Sequence, residues 1–152
     1  MDALDRRIVA ELQKDGSLSN SQLAERVGST APSCWRRVRQ LEDQGVLRET
    51  VRLAQPLSLG QTVQVMCHAR LKSHTTESVE AFESMVRAEP RVMECHSMSG
   101  DWDYLMQIVT EDVAAYESFL MNSLLKHPSV AGASSNFALR TVKYTTALPI
   151  KV

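Results

Sequence analysis

Residues 19–41 read SNSQLAERVGSTAPSCWRRVRQL, and this stretch decides how the N-terminal third of the chain folds. Ser19 and Gln22 stand at capping-box spacing, and Leu18 and Leu23 flank the box as a hydrophobic staple. A helix is therefore predicted over about Asn20 to Val27, with Gly28 ending it. Ser29-Thr30-Ala31-Pro32 then reads as a short turn that caps a further helix, because proline is tolerated in a first turn whose N–H groups lack partners anyway. That helix runs to about Gln44, and Gly45 stops it.

Two helices joined by so short a turn form a helix-turn-helix, whose second helix is the one that enters a major groove when the unit binds DNA. Its wheel places Cys34, Val38 and Leu41 on one face and leaves Ser33, Arg36 and Gln40 on the other, with Arg39 at the edge. Arginine can donate two bonds to guanine and glutamine can pair with adenine. Ser29, Thr30 and the helix N-terminus suit a phosphate oxygen. Between Ser29 and Gln40 stand Arg36, Arg37 and Arg39 and no acid, a local positive excess of the kind that counterion release uses. The same geometry also serves as a plain packing unit with a solvated arginine face, and Trp35 is expected to pack at the core edge.

Outward from this stretch, Leu4, Ile8 and Leu12 repeat at helical spacing between Asp2 and Lys14, giving a first helix before Asp15-Gly16. On the other side, Val46 to Leu53 is rich in β-branched residues and arginine and reads as a strand or wing, in which Arg48 and Arg52 could reach phosphates. The boundaries expected are a winged helix-turn-helix over 1–53, a linker over 54–61 and a second domain over 62–152.

In that second domain the period changes twice. Val63 to Leu71 alternates as a strand, and Val79, Phe82 and Val86 are helix-spaced between Thr76 and Ala88. A hairpin follows, with arms at about Val92 to Ser99 and Tyr104 to Thr110 around Gly100-Asp101. Val113, Tyr116, Leu120 and Leu124 mark another helix, and a last strand is expected near Ser134 to Thr145. The order βαββαβ predicts a ferredoxin-like antiparallel sheet with both helices on one face, and thus an α+β protein whose other sheet face needs a partner.

Composition fits this reading without proving it. The 152 residues carry a formal net charge of -1, so any attraction to DNA depends on where the charge sits. Cys34, Cys67 and Cys95 are too few and too scattered for a disulfide scaffold, and the N-terminus has neither a signal peptide pattern nor a membrane span, so a cytoplasmic protein is expected. The pairs Cys67-His68 and Cys95-His96 invite a zinc site. Strands one and two of a split βαβ sheet lie about 10 Å apart, however, and neighbouring residues point to opposite faces, so no metal is expected. The chain shows no nucleophile elbow, phosphate loop or metalloprotease motif, so neither enzymatic activity nor a cofactor is expected.

Several segments, taken in order, resemble the Lrp/AsnC (feast/famine) family of transcription regulators. In the first half these are Leu4-Asp5-Arg6-Arg7-Ile8, Leu23 to Gly28, and Cys34-Trp35-Arg36-Arg37-Val38 with Leu41-Glu42 and Gly45-Val46. In the second half they are Ser99-Gly100-Asp101-Trp102-Asp103-Tyr104-Leu105 and Thr145-Thr146-Ala147-Leu148-Pro149. Ala31-Pro32-Ser33 departs from the family's turn, which has proline on both sides of the serine.

The resemblance implies double-stranded DNA as one partner and a small amino acid as the other. It also implies a homodimer formed through the second domain, assembling further to an octamer. The DNA-binding set is then Ser29, Thr30, Ser33, Arg36, Arg37, Arg39, Gln40 and Arg48. The effector set, shared between subunits, is Met98, Gly100, Asp101, Trp102, Asp103 and Tyr104 with Ser134 and Ser135 of a neighbouring chain. Asp101 or Asp103 would accept from the ammonium, turn N–H groups and serine hydroxyls would serve the carboxylate, and Met98 or Trp102 would meet a small aliphatic or sulfur-containing side chain. Gly and Asp are also ordinary turn residues, so the competing reading is an assembly domain whose ligand site has degenerated and which serves DNA architecture alone.

Overall fold

The computed structural model describes residues 1–151, which divide into two units. The first comprises Met1–Leu53 together with the C-terminal stretch from Val142, and the second comprises Ala54–Thr141.

Three helices build the first unit: α1 (Ala3–Lys14), α2 (Asn20–Val27) and α3 (Ala31–Asp43). Each begins on a side-chain cap. Ser19 and Gln22 form the expected capping box of α2, and Thr30 caps α3 by accepting from the Ser33 N–H. Asp2 and Asp5 form a second capping box at α1, with both reciprocal bonds at 2.9 Å. Gly28 ends α2 at φ 65°, a left-handed conformation in which a side chain would be strained. Ile8, Leu23, Val27, Cys34 and Leu41 close the core between the helices.

Two expectations change here. Val46 to Leu53 forms no strand and pairs with no strand among the described residues, and Val51 and Leu53 stand exposed. Residues 142–151, expected to close the second domain, pack with the first. The Gln13 side chain donates to the Leu148 carbonyl at 3.2 Å and accepts from the Leu148 N–H at 2.7 Å, and Ile150 rests against the helical core.

The second unit runs from a 3-10 turn at Pro56–Leu59 through β1 (Val63–Leu71), α4 (Thr76–Ala88), β2 (Val92–Ser97), β3 (Tyr104–Thr110), α5 (Val113–Phe119) and β4 (Val130–Phe137). A single π turn, Leu120–Leu124, continues α5. The strands form one antiparallel sheet in the order β2-β3-β1-β4. Val65, Cys67, Ala69 and Leu71 of β1 and Tyr104, Met106 and Ile108 of β3 point to one face, where Phe82, Val86, Tyr116, Phe119 and Leu124 bury them. Met66, His68 and Arg70, and opposite them Leu105, Gln107 and Val109, point to the other face.

The last strand differs from expectation at both ends. It starts at Val130, ahead of the small residues Ala131-Gly132-Ala133 that carry no visible alternation, and stops at Phe137. Phe137 pairs with Val65 two residues from the start of β1, so beyond it almost no strand remains to pair with.

Candidate functional site

Burial of Cys34 and Leu41 fixes which way α3 faces. Turned away from them, Trp35, Arg36, Arg39 and Gln40 are exposed, and Thr30 is exposed at the cap. Arg36 makes no ion pair among the described residues, and Arg39 has only a long 3.4 Å contact with Glu42. Ser29 and Ser33 are half-buried, the latter with its N–H turned back onto Thr30. Arg48 is exposed in the stretch that follows α3. Trp35 corrects an expectation: it is 55% exposed on this face rather than packed. The wheel set it at the edge of the apolar stripe, where periodicity alone does not decide.

Arg37 is placed apart from the others. Its Nη1 donates to Asp2 Oδ2 at 2.7 Å and to Asp5 Oδ1 at 2.6 Å, the two acids that cap α1. The bond from the Asp5 N–H, and after it the Arg37 guanidinium, hold the Asp2 carboxyl below its ordinary range, and the two acids in turn raise Arg37.

The residues expected to hold an effector fall in two places, the turn before β3 and the middle of β4, and in different settings. Met98, Gly100 and Asp101 are exposed, and Gly100 has φ 117°, which suits glycine. Trp102 is half-buried, with the Arg70 guanidinium 4.8 Å from its ring and the His68 ring at 5.8 Å. Arg70 Nε also donates to the Asp101 carbonyl at 3.0 Å, so Arg70 ties the turn to β1, a bond no local pattern announces.

Asp103 is occupied by the frame itself. One carboxylate oxygen accepts from the Leu71 N–H at 2.7 Å and the other meets His74 Nε2 at 2.8 Å. These contacts, the Leu71 bond first, hold its pKa below the ordinary 3.8. Tyr104 is buried against Phe82 and donates to Glu83 Oε1 at 3.0 Å, with burial first and Glu83 second pushing its phenol up to about 12. Ser134 and Ser135, adjacent in β4, part company. Ser134 lies across from His68 on the open face, whereas Ser135 lies across from Cys67 and its hydroxyl pairs with Tyr116.

The cysteines hold no metal cluster among the described residues. Cys67 and Cys95 lie on either side of Met106, separated by β3, and burial raises both thiols, Cys95 to about 11. No helix among the described residues is long and apolar enough to cross a membrane.

Residues 1–42 match the AsnC-type helix-turn-helix domain, and residues 64–148 match the Lrp/AsnC ligand binding domain. The chain belongs to the Lrp/AsnC family. Among its relatives, the DNA-binding transcriptional activator DecR of Escherichia coli K12 is 34% identical over 151 residues, 99% of each chain. A solved transcriptional regulator from Neisseria meningitidis, in complex with L-Met, superposes with a TM-score of 0.94 at 36% identity over 98% of this chain and 96% of that one. An AsnC family regulator from Agrobacterium tumefaciens gives 0.93 at 40% identity over 98% and 97%. The α+β fold, with a helix-turn-helix followed by a ligand-binding domain, is thus the family's, and the chain is a DNA-binding transcriptional regulator rather than an enzyme.

Proposed function

We propose that this protein is a sequence-specific regulator whose grip on double-stranded DNA is set by a small amino acid bound between subunits. The observation that carries the DNA half is the exposed face of α3, where Arg36 has no acid partner among the described residues and with Gln40 would read base edges. Arg39, Thr30, Ser29 and Arg48 would meet phosphates, and Ser33 would lie at the groove's edge. As a DNA-binding protein of this kind it would work in the cytoplasm.

For the effector, the turn before β3 offers the exposed Asp101 as the acceptor for an ammonium, the N–H groups around Gly100 for a carboxylate, and Met98 with Trp102 for an apolar side chain. Ser134 of a neighbouring subunit would close this site from the open sheet face. Asp103, Tyr104 and Ser135 support the site from behind, because their polar atoms already serve the fold. The L-Met complex of the Neisseria relative makes methionine the first ligand to test.

The half-exposed sheet face, with Met66, Leu105 and Val109 on it, is where a second copy would pack to form the dimer, and dimers would assemble toward an octamer. Ligand bound between subunits changes DNA binding only through unequal affinity for the assembly states.

Thermal unfolding of the full chain against each of the twenty amino acids tests the effector half, since a ligand held only by the folded protein raises the melting temperature. A shift confined to one chemical class, methionine and its neighbours, is expected. With no shift from any of them, the second unit is an assembly platform serving DNA architecture alone.

A further inference from the structure

Arg37 stands on α3 one turn from both Cys34 and Leu41, the residues that seat this helix in the core, and beside Arg36 on the reading face. A groove-reading helix must do more than be buried on one side. Its rotation about its own axis decides which base edges its arginine and glutamine reach, and apolar burial alone is non-directional.

Arg37 supplies a directional contact in that place. Both of its bonds run from one nitrogen, Nη1, to two carboxylates that are themselves locked, since Asp2 and Asp5 each accept from the other's backbone N–H at the start of α1. The anchor is therefore the cap of another helix rather than a pair of free side chains. Arg37 Nε is buried and has no hydrogen-bond partner among the described residues, an arrangement that proteins otherwise avoid. The guanidinium is thus held by the two acids even though its Nε–H goes unpaired.

We infer that Arg37 is a positioning residue, which sets the rotation of α3 through the Asp2–Asp5 cap of α1 so that Arg36 and Gln40 address the bases. It was expected among the DNA contacts because sequence shows its charge and not its partners.

The inference rests on α3 reading DNA. Its test uses the full chain and a duplex that the wild-type protein selects from a random-sequence pool. If no duplex is selected, that reading fails, and with it any need for the clamp. If one is selected, the variants decide. Arg37→Met, which keeps the stem, should lower affinity for the selected duplex about tenfold while leaving random duplex almost unaffected. The slope of log affinity against log salt should stay as in wild type, and Arg37→Lys should recover most of the loss.

A phosphate contact behaves otherwise, flattening that slope by about 0.9. Asp5→Asn separates the two by sign. It keeps an acceptor for the Asp2 N–H but turns an amide toward Arg37, so a clamp loses selected-duplex affinity, whereas a phosphate contact released from its acid gains it. A flattened slope for Arg37→Met, or unchanged or tighter binding by Asp5→Asn, overturns the proposal. Should Arg37→Met fail to fold, Asp5→Asn and Arg37→Lys still give the answer.

Discussion

Asp103 shows how one residue's role follows from its partners. Its carboxylate ends β1 by accepting from the Leu71 N–H and holds His74 beyond it, and both contacts favour the charged form. Because the folded pKa lies below 3.8, their stabilisation is fully present above that value and is lost as pH falls through the lower folded value. Asp103→Asn should therefore lower stability by about 1–2 kcal/mol at about pH 6 and much less at about pH 2.5. Urea midpoints at the two pH values check this, and an equal loss at both would show that the charge is not what matters. Sequence placed Asp103 in the right turn but could not distinguish it from Asp101, because its partners lie about thirty residues away in β1 and beyond it.

Among the elements, those with local signals were legible almost to the residue. The box at Ser19 and Gln22 and the αL glycine at 28 bound α2, and strict alternation bounds β1. What failed depended on distant partners. The end of β4 is set by where β1 begins, Val46 to Leu53 finds no ladder among the described residues, and the tail from Val142 joins the helical unit through Gln13. The π turn that follows α5 likewise left no mark in the apolar spacing. Gly28→Ala tests the best-signalled boundary. Nothing lies within 4 Å of the added Cβ, so its cost comes from the positive φ alone and should be about 1 kcal/mol. A denaturation curve giving no loss would mean that the turn into α3 relaxes freely.

At the scale of the whole molecule, a net charge of -1 conceals a helix face that carries cations and no paired acid at Arg36. Composition therefore said nothing about DNA, while position along α3 said much. The chemistry of the turn proposed to hold the effector was harder to read. Its residues come from motif, but which of them keep free polar atoms depends on Arg70, Glu83 and Tyr116, none of which the motif contains.

The most direct measurement is the affinity of the full chain and of Arg36→Ala for the selected duplex and for random duplex, at one stated salt concentration. A base-reading Arg36 predicts a loss of about 1–3 kcal/mol on the selected duplex, a smaller loss on random DNA, and an unchanged melting temperature. Equal affinity of the two proteins for the selected duplex, or an equal loss on both duplexes, would contradict recognition through the exposed face of α3.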